Sequence, residues 1–222
     1  MADDEEWLGG RLAREALDAG DPAAWFEPLY AAAEQGETHV PWDRGAPNRW
    51  LVAWAEANRP RGAGRRAIVV GAGLGDDAEL IARLGFKTVA FDVSPTAARL
   101  ARERFPGTQV DYRAADLLEL PMAWREAYDL VVEIRTVQSL PSAPRPAAIA
   151  AIRGLVAPGG TALVIAAARH PGDQDDGPPW PLTRAEIESF AAGDLRMARL
   201  GEPRDADGFA WWVAELRREV DG

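Results

Sequence analysis

Five residues, Gly71-Ala72-Gly73-Leu74-Gly75, close an apolar run and precede a helical pattern. Lacking a Cβ, glycines there let the main chain approach a ligand closely, although the same composition also serves a plain tight turn. The acids that follow narrow the chemistry. A dinucleotide fingerprint places its third glycine five positions after the first, where a helix N-terminus meets a pyrophosphate. Here that position is Asp76, whose carboxylate repels phosphate. A ligand carrying a sulfonium and an amino group is instead attracted by nearby acids. Asp92, with Val93 beside it, follows the loop by roughly twenty residues, and its two oxygens suit both hydroxyls of a ribose. Asp116, in Ala114-Ala115-Asp116-Leu117-Leu118, can accept from an adenine amino group while Leu117 and Leu118 give apolar cover. The plainer alternatives are a helix-capping role for Asp92 and a solvated loop carboxylate for Asp116.

Farther along, Glu133-Ile134-Arg135-Thr136-Val137-Gln138 sets polar groups at the end of another apolar run. Glu133 and Arg135 either face the ligand or pair with each other, since both are rarely buried alone. The absence of cysteine removes disulfides, Cys-ligated metals and a thiol nucleophile, and we expect no metal site.

Stepping outward, these residues need strands to hold them. From Ala67 the chain alternates β-rich runs with helical patterns, which is how a parallel sheet covered on both faces reads. Strands are expected at 67–70, 88–92, 109–113, 128–133 and 161–166. Helices follow at 77–84, at 94–104 with Ser94 as N-cap and Pro95 in the first turn, and at about 145–156, stopping at Ala157-Pro158-Gly159-Gly160. Residues 170–181, rich in Asp, Gly and Pro, read as a surface loop. Thr183 with Glu186 then forms a capping box, and 196–200 and 209–216 pair as a hairpin at the sheet edge. Residues 1–64 do not fit the alternation and carry Trp7, Trp25, Trp42, Trp50 and Trp54. They read as a helical cap belonging to the same domain as the core, 65–222, with Arg59 to Arg66 as a linker.

The ordered set Val69–Gly75, Asp92, Asp116, Asp129–Glu133 and Leu155–Gly160 resembles the class I S-adenosylmethionine-dependent methyltransferases. Trp25–Tyr30, Val40–Asn48 and Gly177–Leu182 resemble the bacterial thiopurine methyltransferase-like group within it. The resemblance implies an α/β Rossmann-like fold, a seven-stranded, mostly parallel sheet with its last strand antiparallel, helices on both faces and the helical cap. It implies S-adenosylmethionine as cofactor, contacted by Gly71, Ala72, Gly73 and Gly75, by Asp92 and Val93, by Asp116, Leu117 and Leu118, and by Glu133, with Trp42 closing over it. One departure is Val69, where many members carry an acid two positions before the first glycine.

Methyl transfer from a sulfonium neutralises charge, so positioning alone can supply much of the rate, about 7 to 11 kcal/mol. An anionic acceptor needs only a cationic or apolar pocket, for which Arg135 is the candidate; an alcohol or phenol needs a base, for which His39 is the candidate, its unperturbed pKa being about 6.5. A formal net charge of -10 argues against a nucleic-acid surface and for a small-molecule acceptor. No window is apolar for long enough to span a bilayer, and Met1 to Glu6 lack a signal-peptide pattern, so a cytoplasmic protein without membrane partners is expected. A non-catalytic S-adenosylmethionine-binding regulator and, more remotely, a NAD-dependent oxidoreductase stay open. The acceptor and the oligomeric state are not readable.

Overall fold

The computed structural model describes residues 7–173 and 177–220. Residues 1–6, on which the reading of the N-terminus rests, and 174–176 of the Asp-rich loop lie outside them. Before the sheet come α1 (Leu8–Asp18), α2 (Phe26–Glu34) and α3 (Arg49–Asn58). Asn48 caps α3 by accepting from Trp50 N. Strand β1 (Arg66–Val70) follows, then α4 (Asp76–Arg83), β2 (Lys87–Asp92), α5 (Pro95–Arg104), β3 (Asp111–Ala114), β4 (Tyr128–Ile134), α6 (Arg145–Leu155) and β5 (Val156–Arg169). Then β6 (Leu182–Thr183), α7 (Arg184–Glu188), β7 (Leu195–Gly201) and β8 (Trp211–Arg218) complete the chain.

The eight strands form a Rossmann-like sheet in the order β3-β2-β1-β4-β5-β8-β7, with β6 paired to β5 off that path. The strands β3, β2, β1, β4 and β5 run parallel, and β8 is antiparallel to both β5 and β7. Ala67, Ile68, Val69 and Val70 are all buried, because a central parallel strand is covered on both faces. One face packs Ile68, Val70, Val131 and Val164 against Ile149 and Ile152 of α6 and Phe190 beyond α7. The other packs Val69, Val132 and Leu163 against Leu51 of α3 and Ile81 of α4. Val69, the departure noted above, is therefore core.

Local chemistry sets the boundaries. Ser94 Oγ accepts from Ala97 N with Pro95 in the first turn of α5, and Thr183 and Glu186 exchange both bonds of a capping box. Several expectations are corrected. Ala157-Pro158-Gly159-Gly160 is no gap before a strand: β5 begins at Val156 opposite Tyr128 and resumes pairing at Thr161 opposite Leu130. The Pro-Gly run is absorbed there as a register shift, with Gly159 at φ +72°. The final hairpin does form the sheet edge, with β7 outermost and β8 between it and β5, but its second strand starts at Trp211, after exposed Phe209. β3 starts at Asp111. The Arg59–Arg66 linker is docked, with Gly62 N donating to Leu84 O.

Strand order reverses between β1 and β4: from β1 the chain moves out to β2 and β3, then returns to β4 on the other side. Ligands of open α/β sheets bind at such a reversal, beyond the C-terminal strand ends.

Candidate cofactor and acceptor site

At that reversal lies a cavity of about 770 Å³, within the usual range for small-molecule sites. The loop after β1 supplies its floor. Gly71, Gly73 and Gly75 have φ of +59°, +52° and +93°, all in the left-handed region. Their neighbours distinguish them. A Cβ on Gly71 would lie 2.3 Å from Thr136 Oγ1, and one on Gly75 would lie 2.3 Å from Tyr112 Oη. Those two glycines are required by the protein itself. At Gly73 the nearest atom to an added Cβ is Tyr30 Oη at 3.1 Å, followed by the Trp42 ring, and the residue lines the cavity. Gly73 is where the backbone faces the ligand space.

Asp92 closes the same floor. Its Oδ2 accepts from Gly73 N at 2.9 Å and its Oδ1 from Ser94 N at 3.0 Å. Each carboxylate oxygen retains a second lone pair for a ligand hydroxyl. The group is buried, and burial pushes its pKa up to about 6, against the pull of the backbone N–H groups of Ser94, Gly73 and Val93. The helix-capping alternative is excluded, since Ser94 caps α5. On the next loop Asp116 is exposed and accepts from Leu118 N through one oxygen, leaving the other open. Leu117 is buried and Leu118 half exposed, and Ala72, Val93, Asp116, Leu117 and Leu118 all line the cavity.

The helical cap covers this floor. Glu27 of α2 accepts from Ser94 Oγ, Thr96 N and Thr96 Oγ1 at the N-terminus of α5. Those bonds anchor α2, so that buried Tyr30 and Trp42 lie over the loop, with Trp42 Nε1 donating to Tyr30 Oη at 2.8 Å. A second tie runs from Asn48 N to Asp77 Oδ1 on α4. Burial pushes the Asp77 pKa up to about 6 against that bond.

Two sequence candidates stand apart. His39 is exposed, lines a separate surface depression with Leu74 and Arg104, and does not line the main cavity. Glu133 is fully buried beneath the turn after β4 and does not line the cavity either. Its Oε1 accepts from Val137 N, its Oε2 has no hydrogen-bond partner among the described residues, and burial pushes its pKa up to about 7. Its pairing with Arg135 is not found among the described residues. Arg135 has φ +67°, which turns its side chain away from the strand and over the Trp211 ring, 5.8 Å from the centroid. It does line the cavity.

Sequence reading missed Tyr30, Asn48, Asp77, Arg44 and Trp211 as cavity residues. Tyr30 and Asn48 lie at the ends of the two cap segments singled out above, which was the available signal. Trp211 reaches the site only through β8, for which no local motif speaks.

Sheet order and site define a Rossmann-like, mostly parallel α/β fold with a ligand cavity at its strand-order reversal. Residues 67–160 match the family model described as a methyltransferase domain. Over 138 residues the chain is 30% identical to the ubiquinone biosynthesis O-methyltransferase of Xanthomonas axonopodis pv. citri, covering 59% of this chain and 57% of that relative. The chain thus spans less than two thirds of the length of that relative. Among solved structures, a SAM-dependent methyltransferase from Anabaena variabilis superposes with TM-score 0.70 at 17% identity, covering 89% of this chain and 95% of the other. Another is the Burkholderia thailandensis 1,6-didemethyltoxoflavin-N1-methyltransferase, solved with 1,6-didemethyltoxoflavin and S-adenosylhomocysteine. It has TM-score 0.65 and 19% identity, covering 97% of this chain and 93% of that one. At these identities the structures speak for the fold.

Proposed function

We propose that this protein is an S-adenosylmethionine-dependent methyltransferase acting on a small-molecule acceptor. The observation that carries the reading is the pairing of Asp92 with the glycine floor: a buried carboxylate with spare lone pairs beside a backbone that carries no side chain at Gly73. The methyltransferase-domain match over 67–160 supports it. The site fits the cofactor, since a cradle that a Cβ would fill, a ribose acceptor and the Asp116–Leu118 edge lie on one cavity wall.

When bound, S-adenosylmethionine supplies an electrophilic methyl group on a sulfonium. The chain's residues then have five tasks. Asp92 holds the ribose and Asp116 the adenine edge. Gly73 admits the main chain to contact, while Trp42 and the cap exclude water. Arg135 faces the acceptor side. Positioning and desolvation are the means of catalysis, and neither needs a resident base. Cap and core act as one domain. The likeness of Trp25–Tyr30 and Val40–Asn48 to thiopurine methyltransferase-like proteins belongs to the same proposal, as does a cytoplasmic setting without nucleic-acid or membrane partners. Among the described residues no helix is long and apolar enough to cross a membrane.

The test is to follow S-adenosylhomocysteine formation with a panel of thiols, phenols, amines and carboxylic acids. Transfer to at least one class supports the enzyme. Tight cofactor binding with transfer to none would favour a non-catalytic regulator.

A further inference from the structure

The charges lining the cavity do not balance evenly across it. On the floor, Asp92, Asp77 and Asp116 each accept backbone N–H bonds, and Asp76 lies 3.5 Å from Arg104. On the side formed by the turn after β4 and the connection from β7 into β8, Asp205 accepts from Trp211 Nε1 and from the N–H groups of Asp207 and Phe209. Three arginines line the cavity: Arg49 lies over the Trp50 ring and acts electrostatically on Asp205, while Arg44 and Arg135 have neither an ion pair nor a side-chain hydrogen bond among the described residues. The latter two act on the same space, and their mutual repulsion is unfavourable until an anion lies between them.

Arg135 is also held in place. Its left-handed backbone is costly for a non-glycine residue, and it is fixed from both sides: Arg135 N donates to Ile165 O, and Ser139 Oγ donates to Arg135 O. The guanidinium lies over Trp211, whose ring is in turn fixed by the bond to Asp205. Burial and, secondarily, Arg44 lower the proton affinity of Arg135, and an arginine under such conditions still stays charged. A forked cation over a fixed aromatic face is suited to a flat oxyanion. The neighbouring acids Asp205 and Asp207 favour a monoanion over a phosphate dianion. β8 is separated from β1 by β4 and β5, so Trp211 belongs to the side away from the Asp92 and Asp116 wall.

We propose that the methyl acceptor is a planar aromatic carboxylate, its carboxylate held by Arg135 and Arg44 and its ring set against Trp211. This rests on the methyltransferase reading above and names the substrate class for that site.

The test uses the full chain, calorimetric titration and three probes, with and without saturating S-adenosylhomocysteine. The probes are 2-naphthoate, its neutral amide 2-naphthamide, and the non-planar decahydro-2-naphthoate. The expected result is that 2-naphthoate binds the cofactor-loaded protein about tenfold more tightly than either other probe, as one charge-assisted contact or one aromatic contact implies. Arg135→Gln and the exposed-site variant Arg44→Gln should each remove the preference over the amide and leave S-adenosylhomocysteine affinity unchanged. Equal affinity for naphthoate and naphthamide would overturn the proposal. So would displacement of naphthoate by S-adenosylhomocysteine together with loss of S-adenosylhomocysteine binding in Arg135→Gln, since the arginines would then hold the cofactor's own carboxylate. Failure of S-adenosylhomocysteine to bind the unaltered protein, read in its own titration, would overturn the cofactor reading instead.

Discussion

Replacing Asp92 by Asn separates stability from cofactor affinity. The carboxylate now accepts one N–H on each oxygen, from Gly73 at 2.9 Å and Ser94 at 3.0 Å. An amide offers one acceptor, so its NH2 must face one of those donors and one ribose contact is lost. A charge-assisted bond is worth about 1.5 to 3 kcal/mol, which is roughly a 10- to 150-fold rise in Kd. The fold itself should suffer less. Burial raises this pKa from 3.8 to about 6, so ionisation at neutral pH costs the folded state roughly 3 kcal/mol, and removing it offsets the lost bond. The signs follow from linkage. Between pH 3.8 and about 6 the folded state binds more protons than the unfolded one, so this group's contribution to stability falls as pH rises across that window. Cofactor affinity moves the other way, rising as the carboxylate ionises near pH 6. Calorimetric titration with S-adenosylhomocysteine at pH 5.5, 6.5 and 7.5, beside thermal melts, reads both. The reasoning is refuted by a Kd within about threefold of the unaltered protein at pH 7.5, or by a pH dependence that survives in Asp92→Asn.

Other residues give sharper contrasts. Gly73→Val should abolish measurable cofactor binding, because φ +52° and Tyr30 Oη at 3.1 Å oppose any side chain there; normal binding by the folded variant would remove Gly73 from the site. Glu133→Gln should gain stability relative to the unaltered protein as pH rises from 5 to about 7 and level off by pH 8, by up to about 3 kcal/mol, since burial lifts this pKa from 4.5 to about 7 and in that window the folded state holds a proton the unfolded state has lost. Urea titrations at both pH values check this, and a difference that does not change with pH contradicts it. Arg145→Met should destabilise the fold by about 3 to 5 kcal/mol, because the buried guanidinium joins Leu140 O and Trp180 O to Glu186. A midpoint shift below about 1 kcal/mol would show that these groups find other partners.

Much of the core was legible because its signals are local. Parallel strands buried on both faces read as unbroken apolar runs, as Ala67–Val70 and Leu130–Val132 do, and Ser94 and Thr183 announce their helices by their own side chains. Gly73, Asp92 and Asp116 follow from spacing, since a strand-end acid after a glycine turn has few places to go. The misreadings come from geometry without a local mark. Glu133 and Arg135 are two apart and would share a strand face, but β4 ends at Ile134 and the left-handed backbone at Arg135 sends the two side chains apart. His39 and Trp42 are three apart, yet only Trp42 turns into the cavity. The partnership of Arg135 with Trp211 depends on β8 inserting beside β5, which the hairpin pattern alone does not reveal.

The central claim is that the floor of Gly73, Asp92 and Asp116 selects S-adenosylmethionine over a dinucleotide. Parallel calorimetric titrations of the full chain with S-adenosylmethionine, S-adenosylhomocysteine and NAD test it most directly. Saturable binding of the first two and none of NAD is the result expected, while binding of NAD alone, or silence from all three, would contradict it.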